Sequence, residues 1–337
     1  MASGALPVLD VAGFDGPTQS AFVSQLLDAA HGPGFCYIEG HGIESALESE
    51  LVQAARTFFH LPESDRRTIA IGNSPHFRGY TILGDERTAG ERDWRDQIDI
   101  GPDETALPLT TSDPPWLRLR GPNQWPAKVP RLRKVVRPWL ERMEALALKI
   151  MRALALGLGQ TESYFDAVLQ PTPYPRVKII RYPPQPATGG TPQGLGLHHD
   201  SGLLSFILQD AVGGLQVASG EGLIDVAPRP GAYIMNLGEM LQIATDGYLR
   251  ATPHRVVSPA QDKERISIAY FFNPRLDAVF EQIPLPPDLA AKATGGQNLN
   301  PGDPVFTTFG ANTLKIRMRA HPDVTERFYK DVALESL

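Results

Sequence analysis

The sequence predicts a mainly β protein with flanking α-helices, and two patterns support this fold class. The second half carries short apolar runs separated by Gly and Pro, at residues 177–182, 203–209, 215–217, 223–226, 232–236, 254–257 and 266–272. Several short strands with turns between them are typical of a sandwich or barrel. Apolar residues at helical spacing dominate the first half instead, and residues 306–332 return to a helical pattern.

The N-terminal part is predicted to alternate strands and helices. Strands at 7–11 and 34–39 flank a helix at about 18–31, and a second helix covers about 43–59. Residues 73–103 lack a period, and we expect this long segment to be functional. The apolar stripe of residues 130–158 predicts the longest helix, packed in the core. We therefore divide the chain into an N-terminal support region (1–160), a β core (172–280) and a C-terminal helical extension (281–337).

The composition argues against several classes of protein. The chain has 337 residues and a formal net charge of -6, so it has no general attraction for nucleic acid or anionic membranes. Its single cysteine, Cys36, excludes an internal disulfide and a thiolate metal cluster. No secretion signal or membrane-spanning run is recognised. We expect a cytoplasmic protein that binds neither nucleic acid nor membrane; its oligomeric state is not determined by the sequence.

A pattern typical of metal ligands precedes the predicted strand at 203–209. In an extended backbone residues i and i+2 share a face, so His198 and Asp200 converge while His199 points away. A third ligand, His254, heads another strand. Two imidazoles and one carboxylate leave open positions that suit non-haem iron(II) oxygenases, whereas a structural zinc site needs four ligands. These three residues are the predicted catalytic metal site. The remaining histidines outside this motif, predicted not to be ligands, are His31, His41, His60, His76 and His321.

A second pair at strand spacing follows His254. Arg265 and Ser267 open the strand at 266–272 and share one face of it. A guanidinium and a hydroxyl on one face can together hold a carboxylate. This pair is the predicted anchor for an organic acid cosubstrate.

The order of these motifs resembles the isopenicillin N synthase-like group of iron(II) and 2-oxoglutarate-dependent dioxygenases. Further matching segments are found at 7–10, 34–43, 213–217, 236–241 and 252–256. The resemblance implies a double-stranded β-helix (jelly-roll) core that uses Fe(II), 2-oxoglutarate and O2. It also implies that Tyr182 hydrogen-bonds the cosubstrate. The family usually has Asn two residues before this tyrosine, whereas this chain has Ile180, which removes one polar contact near the metal.

The implied activity is oxidation of a small molecule, by hydroxylation, desaturation or ring formation, with release of succinate and CO2. Three alternatives stay open: an oxidase of the isopenicillin N synthase type that uses no 2-oxoglutarate, an ethylene-forming enzyme that fragments 2-oxoglutarate itself, and a metal-binding module without catalysis. The sequence does not determine the substrate.

Candidate substrate contacts come from the 73–103 segment and from the anchor strand. We select aromatic and basic residues. Two arginines of this segment can bind a carboxylate or phosphate. The candidates are Phe77, Arg78, Tyr80 and Phe272, with Arg92 and Trp94 as further members of the segment. Arg317 and Arg319, near the C-terminus, are interpreted as surface charge.

Overall fold

Two β-sheets face each other at the centre of the molecule, and helices cover the outer face of the larger sheet. The computed structural model describes residues 5–88, 90–186, 192–220, 222–295 and 306–334. Within these ranges the strands are β1 (Val8–Asp10), β2 (Phe35–Glu39), β3 (Gly79–Thr81), β4 (Arg87–Thr88), β5 (Glu91–Arg92), β6 (Asp96–Ile100), β7 (Arg176–Tyr182), β8 (Gln193–His198), β9 (Leu204–Gln209), β10 (Leu215–Ser219), β11 (Gly222–Asp225), β12 (Tyr233–Leu237), β13 (His254–Val257) and β14 (Arg265–Phe272). The helices are α1 (Gln19–His31), α2 (Ser45–Phe59), α3 (Glu63–Arg66), α4 (Pro130–Gly157), α5 (Asp166–Leu169), α6 (Glu239–Ala244), α7 (Pro287–Ala290), α8 (Phe309–Ala320) and α9 (Pro322–Phe328).

The two sheets differ in size and in the source of their strands. The major sheet has the order β1-β2-β12-β9-β14-β7-β6-β3, and the minor sheet has the order β11-β10-β13-β8. Apart from the parallel pair β1 and β2, the strand pairs of both sheets are antiparallel. The prediction of a mainly β core with helices at both ends is confirmed.

The two faces of β14 have different roles. Ile266, Ile268, Tyr270 and Phe272 are buried in the main hydrophobic core. The alternate residues, which begin with Arg265 and Ser267, face the space between the sheets. Because side chains of a strand alternate between its faces, one strand supplies both the core and the wall of a cavity.

Helices α1, α2 and α4 pack on the outer face of the major sheet. The predicted apolar stripe of α4 is buried, which confirms its role in core packing. Trp139 of α4 contacts Tyr270 of β14 at 5.9 Å between ring centroids, and its Nε1 donates a hydrogen bond of 2.9 Å to Tyr233. This contact joins the longest helix to two strands of the sheet.

The 73–103 segment is more ordered than its sequence indicates. It contributes β3 and β6 to the major sheet, and β6 pairs directly with β7. Ile98 and Ile100 of β6 face the core, but Asp96 and Asp99 are also buried and are bound to arginines, so charged residues obscure the apolar pattern of the strand. The expectation of irregular structure is therefore wrong for these strands, because buried ion pairs obscure the usual hydrophobic pattern.

The C-terminal helical pattern forms two helices instead of one. Helix α8 ends at Ala320 and α9 begins at Pro322. Proline has no N–H to continue the hydrogen-bond ladder, so the chain turns at this point. None of the helices in the described ranges is long and apolar enough to span a membrane.

Candidate active site

A cavity of about 540 Å³ lies between the two sheets. Strands β7, β9 and β14 form one wall, and β8, β10 and β13 form the other. Residues of α6 and α8 line its remaining sides. Cavities of this size are typical of small-molecule sites.

The three predicted metal ligands meet in this cavity. His198 and His254 lie opposite each other on the paired strands β8 and β13, with ring centroids 4.3 Å apart. Asp200 follows β8, and its Oδ1 is 3.7 Å from His198 Nε2 while its Oδ2 is 3.9 Å from His254 Nε2. Ligand atoms of all three side chains lie within 4.8 Å of one another. The sheet register thus brings together residues that are distant in the sequence.

Hydrogen bonds hold each histidine ring in the orientation that a metal needs. Nδ1 of His198 bonds to the Gly196 carbonyl at 2.9 Å, and Nδ1 of His254 bonds to the Thr252 carbonyl at 3.2 Å. A carbonyl only accepts, so Nδ1 of each ring carries a hydrogen, and the neutral form of the ring offers the Nε2 lone pair to a metal. Burial, reinforced by His254, lowers the pKa of His198 to about 3, so this ring is neutral at physiological pH.

The carboxylate of Asp200 is held in its ionised form. Burial acts to raise the pKa of Asp200, but the two histidines and the hydrogen bonds outweigh it and lower the pKa below its usual value. Asn236 Nδ2 and Ser205 Oγ donate hydrogen bonds of 2.7 Å and 2.5 Å to Oδ2. Such outer contacts fix the position of a ligating carboxylate. Two imidazoles and one carboxylate therefore fit Fe(II) by their chemistry.

The predicted anchor pair lies on the opposite wall. Arg265 is 1% exposed, and it donates hydrogen bonds to Ser267 Oγ at 3.1 Å and Gln209 Oε1 at 2.9 Å. Its guanidinium lies over the Tyr182 ring, 4.9 Å from the centroid. Within the described ranges Arg265 forms no ion pair, and its buried Nε has no hydrogen-bond partner. A buried guanidinium with an unused donor fits the carboxylate of a ligand.

Ile180 stands opposite Ser267 in the register of β7 and β14. It belongs to a small apolar cluster between the sheets, together with Leu215, Val217 and Val256. The polar contact that the usual asparagine would supply is therefore replaced by apolar packing.

The four predicted substrate contacts lie outside the residues that line the cavity. Phe77 and Phe272 are fully buried in the hydrophobic core. Arg78 donates hydrogen bonds to backbone carbonyls and to Tyr174, and Tyr80 donates one of 2.8 Å to Asp96. These side chains have structural partners, so the expectation that they contact substrate is corrected. Arg92 is exposed, and Trp94 donates its indole hydrogen bond to the Pro184 carbonyl.

Other residues line the cavity instead, and several carry charge. Arg176 and Lys178 alternate with core residues on β7, so the period of two contained a signal for them. The 73–103 segment contributes Glu86 and Arg95. Arg317 of α8 is 3% exposed and lines the cavity, which corrects its interpretation as surface charge.

A second group of possible ligands lies near these charges. Glu86, Asp99 and His321 have ligand atoms within 4.8 Å of one another. Lys178 and Arg95 each bind Glu86 at 2.6 Å, and a third cation neutralises Asp99. The carboxylates are therefore engaged in ion pairs, and we assign this group to a buried charge network. His321, which the sequence predicts not to be a metal ligand, belongs to this group, and its Nε2 is 3.4 Å from Glu86.

Two family models match the chain. The model of the 2OG-Fe(II) oxygenase superfamily matches residues 174–274, and the model of the non-haem dioxygenase in morphine synthesis N-terminal region matches residues 6–128. Each matched range falls inside one of the divisions predicted from the sequence, whose boundaries stay a prediction.

Relatives and solved structures resemble the chain over most of its length. The 2-oxoglutarate-dependent dioxygenase frbJ of Dothideomycetidae sp. (strain 11243) is 33% identical over 345 residues, covering 97% of this chain and 93% of that protein. JOX2 in complex with 2OG, Fe and JA has a TM-score of 0.71 and 27% identity, covering 94% of this chain and 87% of JOX2. The dioxygenase for auxin oxidation in rice has a TM-score of 0.65 and 26% identity, covering 85% of this chain and 87% of that structure.

These likenesses confirm the double-stranded β-helix core and the cofactors Fe(II), 2-oxoglutarate and O2. The candidate site offers two imidazoles, one carboxylate and an unpaired guanidinium in one cavity, which is the chemistry that those cofactors require. The chain therefore belongs to the 2OG-Fe(II) oxygenase superfamily, and it is a non-haem dioxygenase that depends on Fe(II) and 2-oxoglutarate.

Proposed function

We propose that the cavity between the sheets is the active site and that it oxidises a small-molecule substrate. In this proposal the metal is held by His198, Asp200 and His254. The cosubstrate carboxylate distant from the metal is bound by Arg265, Ser267 and Tyr182. The observation that carries the proposal is that both groups open onto one cavity while their own polar atoms are held in place by the protein.

When bound, Fe(II) supplies the activation of O2 and the oxidation of a C–H bond, coupled to conversion of 2-oxoglutarate to succinate and CO2. The protein positions the reactants. The rings of His198 and His254 would bind the metal through Nε2. The carboxylate of Asp200 would bind beside them, and the hydrogen bonds that it accepts from Ser205 and Asn236 hold it in position. Position and a dry cavity are the contributions expected from the protein in cofactor chemistry.

Electrostatics favour a carboxylate beside Arg265. Burial acts to lower the pKa of Arg265, because a charged guanidinium is costly in a cavity without a counter-ion. A bound carboxylate would compensate that charge and use the free Nε–H. Ser267 adds a hydroxyl on the same face, and the Tyr182 ring keeps the guanidinium plane in place.

The experiment is substitution of Asp200 by Ala, with Asp225→Ala as the matched control. Asp225 is an exposed carboxylate on β11 that binds Gln216, so its removal leaves the cavity intact. We expect Asp200→Ala to lose Mn(II) binding in anaerobic calorimetry and O2-dependent succinate formation, while Asp225→Ala keeps both. Undiminished metal binding in Asp200→Ala would overturn the ligand assignment.

We also propose a cytoplasmic location. The support is compositional: the sequence contains a single cysteine, so it cannot form an internal disulfide. A protein without disulfides suits a reducing compartment. Fractionation of cells that produce the tagged full-length chain tests this, and recovery outside the cytoplasm would contradict it.

A further inference from the structure

Arg176 presents a positive charge to the cavity without a paired carboxylate among the residues that the structure describes. It is the first residue of β7, and its side chain lines the cavity. Its guanidinium lies over the ring of Phe271, 5.4 Å from the centroid. Within the described ranges it forms no ion pair, and its buried Nε has no hydrogen-bond partner. An unsatisfied buried donor of this kind is costly unless a ligand uses it.

Three other cations on this side of the cavity are held in ion pairs. Arg95 binds Glu86 at 2.6 Å and Asp93 at 3.0 Å, Lys178 binds Glu86 at 2.6 Å, and Arg317 binds Asp99 at 2.8 Å. This network therefore contains three cations and three carboxylates. Arg176 adds a fourth cation next to it. Burial, reinforced by Arg317, lowers the pKa of Arg176 to about 10, so it remains charged at neutral pH.

The strand register places Arg176 at the level of the metal ligands. Arg176 pairs with Phe271 on β14, and Phe271 pairs with Ser205 on β9. Ser205 in turn donates its hydrogen bond to Asp200. One strand, β14, therefore separates Arg176 on β7 from Ser205 on β9, which binds the carboxylate of Asp200.

Arg265 lies at the other end of the same strands. Phe271 is six residues after Arg265 on β14, so their backbones are roughly 20 Å apart at about 3.4 Å per residue. The guanidinium of Arg265 lies over Tyr182 and that of Arg176 lies over Phe271, the cross-strand partner in each case, so both stay at the level of their own backbone. A five-carbon dicarboxylate whose far end is held by Arg265 therefore does not reach Arg176. The two unpaired guanidiniums therefore require two different anionic groups.

We propose that Arg176 binds the carboxylate of the substrate, so that the enzyme acts on small monocarboxylates with an apolar body. This proposal rests on the proposed function, because Arg265 must be occupied by 2-oxoglutarate. The planar guanidinium of Arg176 matches one carboxylate through a charge-assisted contact. The apolar body fits the aliphatic side chains that line the cavity: Ile207, Met240, Ile243 and Ile316.

The test is binding of paired probes to the full-length protein loaded with Mn(II) and saturating 2-oxoglutarate under argon. The probes are phenylacetate, 3-phenylpropionate, hexanoate and decanoate, each compared with its primary amide by calorimetry. We expect at least one acid to bind at least tenfold more tightly than its amide, since a charge-assisted bond to the guanidinium of Arg176 is lost in the neutral compound. If no acid is preferred over its amide, the proposal is overturned.

Two variants assign the preference to this side chain. Arg176→Gln should weaken acid binding about 10- to 100-fold and abolish the difference between acid and amide. Arg176→Lys, which keeps the charge without the planar fork, should retain part of the preference. Arg152→Gln is the matched control, because Arg152 is an exposed arginine on α4 whose nearest carboxylate is 4.0 Å away. An unchanged acid preference in Arg176→Gln would overturn the proposal.

The same titrations separate this proposal from the proposed function. Binding of 2-oxoglutarate is measured first for each protein, and it also shows that the variants are folded. Absence of 2-oxoglutarate binding in the wild-type protein would contradict the role of Arg265. Normal 2-oxoglutarate binding without an acid preference would contradict the role of Arg176 alone.

Discussion

Substitution of Arg265 by Ala tests the cosubstrate anchor most directly. The side chain is buried between the two sheets, and two of its nitrogens already bind Ser267 and Gln209. Its Nε–H is free for a ligand. The substitution removes the charge and this donor, and it leaves the metal ligands on the opposite wall unchanged.

The size of the effect follows from these contacts. A hydrogen bond to a charged group contributes about 1.5 to 3 kcal/mol. At about 1.4 kcal/mol for each factor of ten, the apparent KM for 2-oxoglutarate should rise roughly 10- to 150-fold. Arg265→Lys should lie between the wild type and Arg265→Ala, because it restores the charge without the fork geometry.

Succinate formation under air, measured over a range of 2-oxoglutarate concentrations, gives this KM. The matched control is Arg255→Ala on the minor sheet, where an exposed arginine binds Gln216 at 2.8 Å. Its KM should equal that of the wild type. An unchanged KM in Arg265→Ala, in a variant that still binds Mn(II), would refute the anchor role.

Three further predictions concern the metal site, the charge network and the core. Ser205→Ala should lower Mn(II) affinity about 10- to 100-fold in calorimetry, because it removes the hydrogen bond that orients Asp200; an unchanged affinity would count against this positioning role. Burial acts to raise the pKa of Glu86, but Lys178 and Arg95 outweigh it and hold the pKa well below its ordinary value of 4.5. The unfolded chain therefore binds a proton at Glu86 that the folded chain does not, so the free energy of unfolding should fall as the pH drops below about 4.5, and Glu86→Gln should flatten this slope in urea titrations. Equal slopes would contradict the ionised state of Glu86. Phe272→Ala should cost about 3 to 5 kcal/mol of unfolding free energy without changing the KM for 2-oxoglutarate, since the ring is in the core; a changed KM with little loss of stability would place it in the cavity after all.

Local sequence pattern predicted part of the fold and two pairs of candidate site residues. The period of two in β14 placed Arg265 and Ser267 on one face, and the same rule placed His198 and Asp200 together. Both pairs are close in sequence, so strand geometry alone relates them. The apolar stripe of α4 likewise predicted its buried face.

The same rule could have carried the prediction further along β7 and β14. Counting by two from Arg265 leads to Phe271 and not to Phe272, and counting back from Tyr182 leads to Arg176. The period of two gives the face of the strand on which each side chain lies. It does not give the residues that lie opposite these side chains across the cavity.

Only the tertiary structure decided which charges are used and which are free. Strand β6 carries aspartates that are buried by ion pairs with residues far away in the sequence, so its pattern did not predict a strand. Phe77 and Arg78 were predicted to contact substrate because their segment lacks a regular pattern. In the folded chain Phe77 packs in the core and Arg78 binds Tyr174. Arg176 has the same residue type as Arg317, yet only Arg317 finds a carboxylate within the described ranges. Sequence determines which side chains a strand presents, whereas charge compensation depends on contacts between distant segments, which form only when the chain is folded.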